Sequence, residues 1–266
     1  MKRLALVTGA AGGLGKAFAA ECAARGYDLF LTDLDAARLR SLADGLSRMH
    51  GVGVHCQACD LTEPADRAAL WDRLRSLGRR LSLLVNVAGI DYEGPFAERS
   101  PEELEEIVRL NVESVVAMTR RALEFRAPAS RLAIINVSSL AAFYPMPIKA
   151  VYAASKRFLL DFSRALNSEF KGSGISVTAL CPAGLPSHPA VIRAIEAQGL
   201  AGSLTTTNLG FTAAGGLDRA EAGRGLYIPG LLNRLLGFLG GALPPAFVAA
   251  LIGRRWRGRS VSLAER

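Results

Sequence analysis

Tyr152 and Lys156 stand four positions apart in AVYAASKRFLL, a stretch with a helical pattern. Residues at this spacing share one face of a helix. A tyrosine hydroxyl can donate or accept a proton, and a nearby ammonium group favours the phenolate and so eases the exchange. Two unrelated polar residues on one face have the same spacing, so the pair predicts proton-transfer chemistry only in combination with other motifs.

A glycine-rich turn, TGAAGGLG at 8–15, follows the first apolar run and opens the first predicted helix. Gly9, Gly13 and Gly15 permit a tight turn and a close backbone approach to a pyrophosphate. The helix behind them supplies free N–H groups and the positive end of its dipole. The turn therefore indicates a dinucleotide site.

Asp33 ends the second predicted strand, 18 residues after Gly15. Its carboxylate can accept hydrogen bonds from the ribose hydroxyls and would repel a 2′-phosphate. No basic residue precedes Lys16 in the glycine turn, and Leu34 follows Asp33, so the usual basic partner of a 2′-phosphate is missing. An ordinary turn or capping aspartate is the alternative. The spacing favours a nucleotide role and predicts NAD rather than NADP.

The elements that must hold these residues alternate between strand and helix. The predicted strands cover 3–8, 28–33, 53–58, 81–89, 131–139 and 174–182, and the predicted helices cover 13–25, 35–48, 64–79, 101–126 and 151–170. Ser100, Pro101 and Glu103 form a capped start for the long helix. The alternation predicts an α/β fold: a Rossmann-type doubly wound parallel sheet in three layers.

The chain offers no clear linker before residue 182, so we expect one dinucleotide-binding catalytic domain over 1–230. Residues 183–223 are rich in Gly and Thr and weakly periodic, apart from a predicted helix at 189–198, and we expect a loose substrate loop there. A further short strand is predicted at 225–230. Residues 231–266 form a C-terminal extension, apolar and then basic.

Nineteen residues of this extension, 235–253, carry no charge, which is near the length of a membrane span. Pro244 and Pro245 interrupt the stretch, so two short helices are expected. Packing over the substrate cleft or a partner subunit is favoured over peripheral membrane contact, because apolar stretches in enzymes are more often buried.

Composition and local sequence patterns also bear on nucleic-acid binding, export and metal binding. The net charge is +8, but aromatic and basic residues are not interleaved, which argues against a nucleic-acid partner. The apolar run Leu4 to Val7 is too short for an export signal, so we expect a cytoplasmic protein with reduced thiols. Cys56 and Cys59 fall three apart on a strand and point to opposite faces, so no metal site is predicted.

Several motifs, in order, resemble the Tyr-dependent short-chain dehydrogenases/reductases over about residues 3–182. They are TGAAGGLG at 8–15, CDLTEP around Asp60, NVAG at 86–89, Asn111 in the long helix, NVSS ending in Ser139, and the pair Tyr152 and Lys156. The 13 residues from Ser139 to Tyr152 match the family's spacing. The resemblance implies an oxidoreductase that interconverts a secondary alcohol and a ketone, working as a homodimer or homotetramer.

The resemblance also implies residue roles. Tyr152 would be the general acid in ketone reduction and the general base in alcohol oxidation. Lys156 would lower the pKa of Tyr152 and hold the nicotinamide ribose, Ser139 would orient the substrate oxygen, and Asn111 would anchor a water chain. Cofactor contacts are implied for Gly9, Gly13, Leu14, Gly15, Asp33, Asp60, Leu61, Asn86, Ala88, Gly89, Tyr152, Lys156 and Pro182.

The stretch CPAGLPSHP departs from the family pattern of Pro-Gly followed by Thr. Ala183 is inserted after Pro182, and Ser187 is the nearest hydroxyl. Since this loop normally covers the nicotinamide, the departure keeps open an alternative: a nucleotide-binding sensor or scaffold without turnover. The intact catalytic group favours an enzyme.

A hydrophobic small-molecule alcohol or ketone is the expected substrate. The apolar lining available for it is Phe143, Tyr144, Pro145, Met146 and the C-terminal extension.

Overall fold

The computed structural model describes residues 3–186, 192–193 and 200–264, and leaves the side chains at 200–201 and 255–264 undescribed. Ser187 and most of the expected helix at 189–198 lie outside the described residues. The strands are β1 Leu4–Thr8, β2 Asp28–Asp33, β3 Val54–Ala58, β4 Leu83–Asn86, β5 Leu132–Val137, β6 Ile175–Leu180 and β7 Leu226–Tyr227. The helices are α1 Gly13–Ala24, α2 Ala36–His50, α3 Pro64–Ser76, α4 Pro101–Val108, α5 Ser114–Ala122, α6 Ala150–Glu169, α7 Leu200–Thr205, α8 Leu209–Glu221, α9 Leu231–Ala242 and α10 Pro245–Ala264.

All seven of these strands join one parallel sheet in the order β3-β2-β1-β4-β5-β6-β7. The order reverses between β1 and β4, so the loops that follow these two strands diverge and open a crevice at their carboxyl ends. The predicted strands and helices up to residue 182 are confirmed, and the Rossmann-type doubly wound fold with them.

The sheet carries a hydrophobic core on each face. Alternate residues of β1 divide between them: Ala5 and Val7 join the cluster under α1, α2 and α8, while Leu4 and Leu6 join the cluster under α3 and α5. Cys56 packs against the first cluster and Cys59 belongs to the second, so these two thiols do lie on opposite faces. This two-sided burial explains why the strands are almost continuously apolar.

The long helix expected at 101–126 begins as predicted. The Ser100 hydroxyl accepts a hydrogen bond from the Glu103 amide, and the Glu103 carboxylate accepts one from the Ser100 amide. The helix is not regular, however: a π-helical turn, Arg109–Glu113, separates α4 from α5. One extra residue in that turn rotates the side chains that follow, and the turn contains Asn111.

The segment expected to be a loose substrate loop is more regular than predicted. It contains α7 and the 13-residue α8, whose first turn is capped by the Asn208 side chain bonded to the Phe211 amide. Gly216 of α8 contacts Phe18, and a side chain at Gly215 would overlap the Tyr227 ring. The prediction was wrong here because glycines lower helix propensity, whereas in this fold they permit close packing.

The C-terminal extension consists of two helices, as expected, with the break at Leu243 and Pro244. The second helix is longer than predicted. Among the residues that the structure describes, neither these helices nor any other combine the length and apolarity needed to cross a bilayer.

Candidate active site

The glycine turn packs tightly against the segment that follows β4. Gly9 has a positive φ of 61°, and a Cβ there would approach the Ala88 backbone nitrogen to 2.9 Å. A Cβ at Gly15 would overlap the Gly9 carbonyl oxygen. Gly13 begins α1 and Leu14 is buried beneath it. The turn therefore requires glycine at positions 9 and 15, and it presents the start of α1 to the crevice.

Asp33 lies at the carboxyl end of β2, beside this turn. Its Oδ2 accepts a hydrogen bond from the Ala11 amide at 2.9 Å, and its Oδ1 accepts a long one from the Asp35 amide at 3.4 Å. The carboxylate is thus oriented by the glycine turn, and its negative charge borders the crevice.

Asp60 and Leu61 follow β3. The Asp60 carboxylate accepts hydrogen bonds from the amide and the hydroxyl of Thr62, at 2.8 and 2.7 Å, and Leu61 is buried. These bonds hold the turn after β3 at the same edge of the sheet as Asp33. The cofactor contacts implied for Asp60 and Leu61 stay a prediction.

The side chain of Asn86 takes part in a buried hydrogen-bond network, and its implied cofactor contact stays a prediction. Its side-chain amide donates to Asn136 at 2.8 Å and to Thr119 at 3.3 Å, and Asn136 in turn donates to Ser163 at 3.0 Å. Both N–H groups of Asn86 are therefore engaged inside the core. This buried network fixes β4 against β5 and α6, and only the backbone of Asn86 borders the crevice.

Thr8 is a residue that the sequence analysis did not single out. Its hydroxyl accepts hydrogen bonds from the Val87 and Ala88 amides, at 3.1 and 3.2 Å. Thr8 pairs in register with Asn86 across the two neighbouring strands. A hydroxyl at the end of a strand, just before a glycine turn, was the available signal, since such a side chain can satisfy the next strand's loop amides.

Asn111 is fully buried in the π-helical turn. Its Oδ1 accepts from the Ile90 amide and its Nδ2 donates to the Ile90 carbonyl, both at 2.9 Å. The same Nδ2 lies 3.2 Å from Ser155 Oγ. Asn111 thereby joins the end of β4 to α6, the helix that carries Tyr152 and Lys156.

Gly89 is the point where the side chains of Asn111 and Lys156 converge. A Cβ at this position would lie 2.9 Å from Asn111 Oδ1 and 3.1 Å from Lys156 Nζ. Any side chain would therefore fill the space in front of the lysine. The cradle at Gly89 leaves room for a bound group beside the ammonium.

Lys156 is almost completely buried, and its Nζ donates to the Val137 carbonyl at 3.0 Å. The Ser138 hydroxyl donates to the Lys156 carbonyl at 2.6 Å and so ties the end of β5 to α6. Burial lowers the pKa of Lys156 to about 8. The ammonium is thus held firmly at the end of β5.

Tyr152 shares this face of α6, and Lys156 Nζ lies 5.6 Å from the centre of its ring. Ser139 caps the short helical turn Leu140–Phe143 through the Ala141 amide, and a hydrogen bond to Ser139 lowers the pKa of Tyr152. Ser139, Tyr152 and Lys156 are therefore brought together, with Asn111 behind them.

The net effect on the Tyr152 phenol differs from the expectation. Burial raises its pKa most, the Asp91 carboxylate raises it further, and Ser139 and Lys149 lower it less. The protein's own groups thus hold the tyrosine protonated. The expected lowering depends on the positive charge that an oxidised nicotinamide would bring.

Lys149 and Asp91 are further residues that sequence reasoning missed. Lys149 Nζ bonds to the Asp91 carboxylate, lies 2.9 Å from Glu93, and stands 5.8 Å from the centre of the Tyr152 ring. Lys149 is the N-cap residue of α6, three positions before Tyr152, and no short motif marks it. This ion pair sets part of the electric field at the phenol.

The altered loop after β6 begins in an ordered way. The Pro182 carbonyl accepts from the Leu140 amide at 2.7 Å, and the Gly184 carbonyl accepts from the Thr207 amide at 3.1 Å. Ala183 packs in the cluster that contains Ile228. The inserted alanine is therefore accommodated by packing, and Pro182 is tied to the segment that follows Ser139.

The expected apolar lining is partly used by the protein itself. Phe143 and Tyr144 contact the C-terminal helix α9, where a side chain at Gly240 would overlap the Tyr144 ring. Burial raises the pKa of the Tyr144 phenol. These two rings pack beneath α9. Pro145 is exposed, and Met146 is half-buried.

Comparison with known proteins agrees with this arrangement. A family model described as short chain dehydrogenase matches residues 3–191. A very-long-chain 3-oxoacyl-CoA reductase from Anas platyrhynchos is 35% identical over 184 residues, 67% of this chain and 58% of that protein. The human 17-beta-hydroxysteroid dehydrogenase type 3 is 30% identical over 68% of this chain and 59% of its own length. The chain thus spans about three fifths of these relatives.

A solved structure extends the likeness beyond the sheet. The short-chain dehydrogenase from Sphingobium yanoikuyae in complex with NADPH is 30% identical and superimposes with a TM-score of 0.76, over 90% of this chain and 93% of that one. Fold, motif order and family match therefore point the same way, and the chain belongs to the short-chain dehydrogenase family.

Proposed function

We propose that the protein is an NAD(H)-dependent oxidoreductase that interconverts a secondary alcohol and a ketone. The observation that carries the proposal is the convergence of Ser139, Tyr152 and Lys156 in front of the Gly89 cradle, with Asn111 bonded behind them. A tyrosine, a hydroxyl and a buried ammonium at the carboxyl edge of a parallel sheet match the needs of carbonyl chemistry next to a dinucleotide.

The residues present fit a dinucleotide. The glycine turn leaves the start of α1 open, Asp33 is oriented at the end of β2, and Gly89 leaves space beside Lys156. When bound, the nicotinamide supplies the hydride. We assign the glycine turn to the pyrophosphate, Asp33 to the adenosine ribose, and Lys156 to the nicotinamide ribose.

The protein's own groups then handle the substrate oxygen. Ser139 donates a hydrogen bond that orients the carbonyl, and Tyr152 delivers a proton to that oxygen during reduction. In alcohol oxidation Tyr152 removes the hydroxyl proton instead. Lys156 stabilises the phenolate that remains, and Asn111 would anchor the water chain that returns a proton to Lys156.

The choice of NAD over NADP rests on the charge of Asp33 at the crevice. A 2′-phosphate there would face a carboxylate at short range, which is unfavourable. A titration of the purified protein with NADH and with NADPH, followed by nicotinamide fluorescence, tests the choice. Tighter binding of NADPH would overturn it.

A large hydrophobic molecule is the proposed substrate. The names of two relatives, a very-long-chain 3-oxoacyl-CoA reductase and a 17-beta-hydroxysteroid dehydrogenase, denote reactions at an oxygen on an extended apolar skeleton. The apolar surroundings of Ser139, with Leu140 and Ala142 buried next to it, support the same class.

Replacement of the proposed acid/base tests turnover directly. Tyr152→Phe should lower the rate on secondary alcohols at least ~100-fold, since a positioned acid/base contributes that much or more. Cofactor affinity should change little. Tyr27→Phe removes the phenol that donates to Glu221, near the start of β2, and is the matched control expected to keep turnover.

A nucleotide-binding sensor or scaffold is the alternative function. It would bind the dinucleotide in both the parent and Tyr152→Phe proteins but would oxidise no alcohol and reduce no ketone. Binding without turnover across a panel of apolar ketones would favour it over the enzyme.

Assembly and location also stay proposals. We expect a homodimer or homotetramer and a cytoplasmic location, with peripheral membrane contact through the C-terminal extension as the alternative to packing over the cleft or a partner subunit. The four cysteines are free, as a reducing compartment requires.

A further inference from the structure

The C-terminal helix α9 turns its large apolar side chains away from the protein. Leu231, Leu235 and Phe238 are spaced i, i+4 and i+7 and are 81%, 54% and 72% exposed. Leu232 and Leu239 flank them and are also exposed. This spacing puts all five on one side of the helix.

Apart from Leu236, which packs partly buried against the cluster that contains Ile228, the side of α9 that faces the protein is made of small or polar residues. Asn233 and Gly237 are buried, and Gly240 lies so close to Tyr144 that a side chain would overlap the ring. Asn233 donates to the carbonyls of Thr205 and Pro229, at 2.9 and 2.8 Å, which fixes the rotation of the helix. The usual pattern of a surface helix is therefore inverted: small residues face the protein and large apolar residues face outwards.

The second helix also exposes large apolar side chains. Phe247 and Leu251 of α10 are 59% and 61% exposed, with the exposed Leu243 between the two helices. Of the sixteen large hydrophobic side chains exposed in the described residues, eight fall within 231–251. We call these eight residues the tail patch: Leu231, Leu232, Leu235, Phe238, Leu239, Leu243, Phe247 and Leu251. Such a concentration marks an interaction surface.

The positive charge around the tail patch indicates what kind of surface would bind it. Residues 222–264 contain no Asp or Glu, and their only charged residues are Arg224, Arg234, Arg254, Arg255, Arg257 and Arg259. Trp256 stands among the last four. A second copy seated on this face would bring two like-charged tails together, because a two-fold interface pairs a surface with itself. Anionic lipid offers the opposite charge.

We propose that the tail patch docks on the surface of a membrane that contains anionic phospholipid. Helices α9 and α10 lie in the interfacial layer, with the apolar side chains among the upper acyl chains and the arginines at the headgroups. Neither helix crosses the bilayer. This inference does not depend on turnover, so it and the proposed enzyme function can fail separately.

Co-sedimentation of the full-length protein with vesicles tests the proposal. We expect at least ~10-fold stronger binding to phosphatidylcholine vesicles containing phosphatidylglycerol than to phosphatidylcholine alone, and weaker binding as salt screens the charges. Phe238→Glu combined with Phe247→Glu should lower the affinity a further ~10-fold or more, since each loses the burial of a large apolar side chain.

Met49→Glu is the matched control. Met49 is 77% exposed on α2 and away from the tail, so the same chemical change there should leave vesicle binding unchanged. The phenylalanines are exposed as well, so both variants should keep the parent's urea midpoint, which confirms that they fold. Equal binding to both kinds of vesicle, or none, would overturn the proposal. So would a parent dimer that dissociates on Phe238→Glu, because the patch would then join two copies.

Discussion

Asn111 holds both backbone groups of Ile90, accepting from its amide and donating to its carbonyl at 2.9 Å each. This pairing crosses from the long interrupted helix to the end of β4. The Asn111 side chain takes the place of the backbone partners that Ile90 would have in a regular strand or helix. The position of Gly89, and with it the space in front of Lys156, follows from this one side chain.

Asn111→Leu should therefore affect stability and turnover together. The variant keeps the branched shape of the side chain but leaves the amide and carbonyl of Ile90 unpaired, which should lower the free energy of unfolding by about 2–4 kcal/mol. Urea unfolding measures this loss. Ser100→Ala, which removes an exposed cap of α4, should cost only about 1 kcal/mol and keep turnover. Equal losses in the two variants would contradict the bridging role.

Gly15→Ala and Gly45→Ala should act in opposite directions. The first places a Cβ into the Gly9 carbonyl, so it should disrupt the turn and abolish cofactor binding. The second lies inside α2, where a Cβ has no neighbour within 4 Å, and should raise the free energy of unfolding by up to about 1 kcal/mol through helix propensity. Thermal unfolding and NADH titration of both variants check the pair. Unchanged binding in Gly15→Ala would argue against the turn as the pyrophosphate site.

Asp33→Asn should shift cofactor preference towards NADPH. The amide keeps an acceptor for the Ala11 N–H and removes the negative charge that would face a 2′-phosphate. We expect the NADPH-to-NADH affinity ratio to rise at least ~10-fold. Asp44→Asn makes the same charge change at an exposed site on α2 and should leave the ratio unaltered. A similar shift in both variants would mean that overall charge, and not Asp33, sets the preference.

Lys156→Met should change how stability depends on pH. Burial holds the pKa of Lys156 at about 8, below its ordinary 10.5, so between these values the unfolded chain binds more protons than the folded one. Stability must then rise with pH across this window, and the lysine's penalty is fully present below pH 8. The parent's free energy of unfolding, relative to the variant's, should grow by up to ~1.4 kcal/mol per pH unit. Urea unfolding across the window measures the slope, and a flat difference would contradict the buried ammonium.

Much of the sheet and its motifs was predictable because strand burial and turn chemistry are local signals. Asp33, Ser139 and Tyr152 stand at the ends or beginnings of elements that periodicity locates to within a few residues. Their placement along one edge of the sheet follows from the parallel topology. The π-helical turn at Arg109–Glu113 was not predicted, and the partner of its Asn111 side chain, the Ile90 backbone, lies 21 residues away in the sequence.

The structure of the C-terminal third was harder to predict, because it too depends on contacts with residues that are distant in the sequence. The glycines of α8 oppose helix formation locally, and their value appears only when Phe18 and Tyr227 are placed beside them. The Asn208 cap was the one local signal for that helix. The direction of α9 likewise depends on Tyr144 and on the carbonyls that Asn233 reaches, which no window of sequence contains.

Helix α6 meets its neighbours through polar contacts at Ser155, Lys156 and Ser163, which reach Asn111, Ser138 and Asn136 respectively. A slip by one residue would turn the helix by about 100° and break all of them at once. The three contacts together therefore fix the rotation of α6 about its own axis. Substitutions in the surrounding apolar core can loosen the packing of α6 without rotating the helix. The orientation of Tyr152 should therefore tolerate core substitutions that would change it in a helix held by apolar contacts alone.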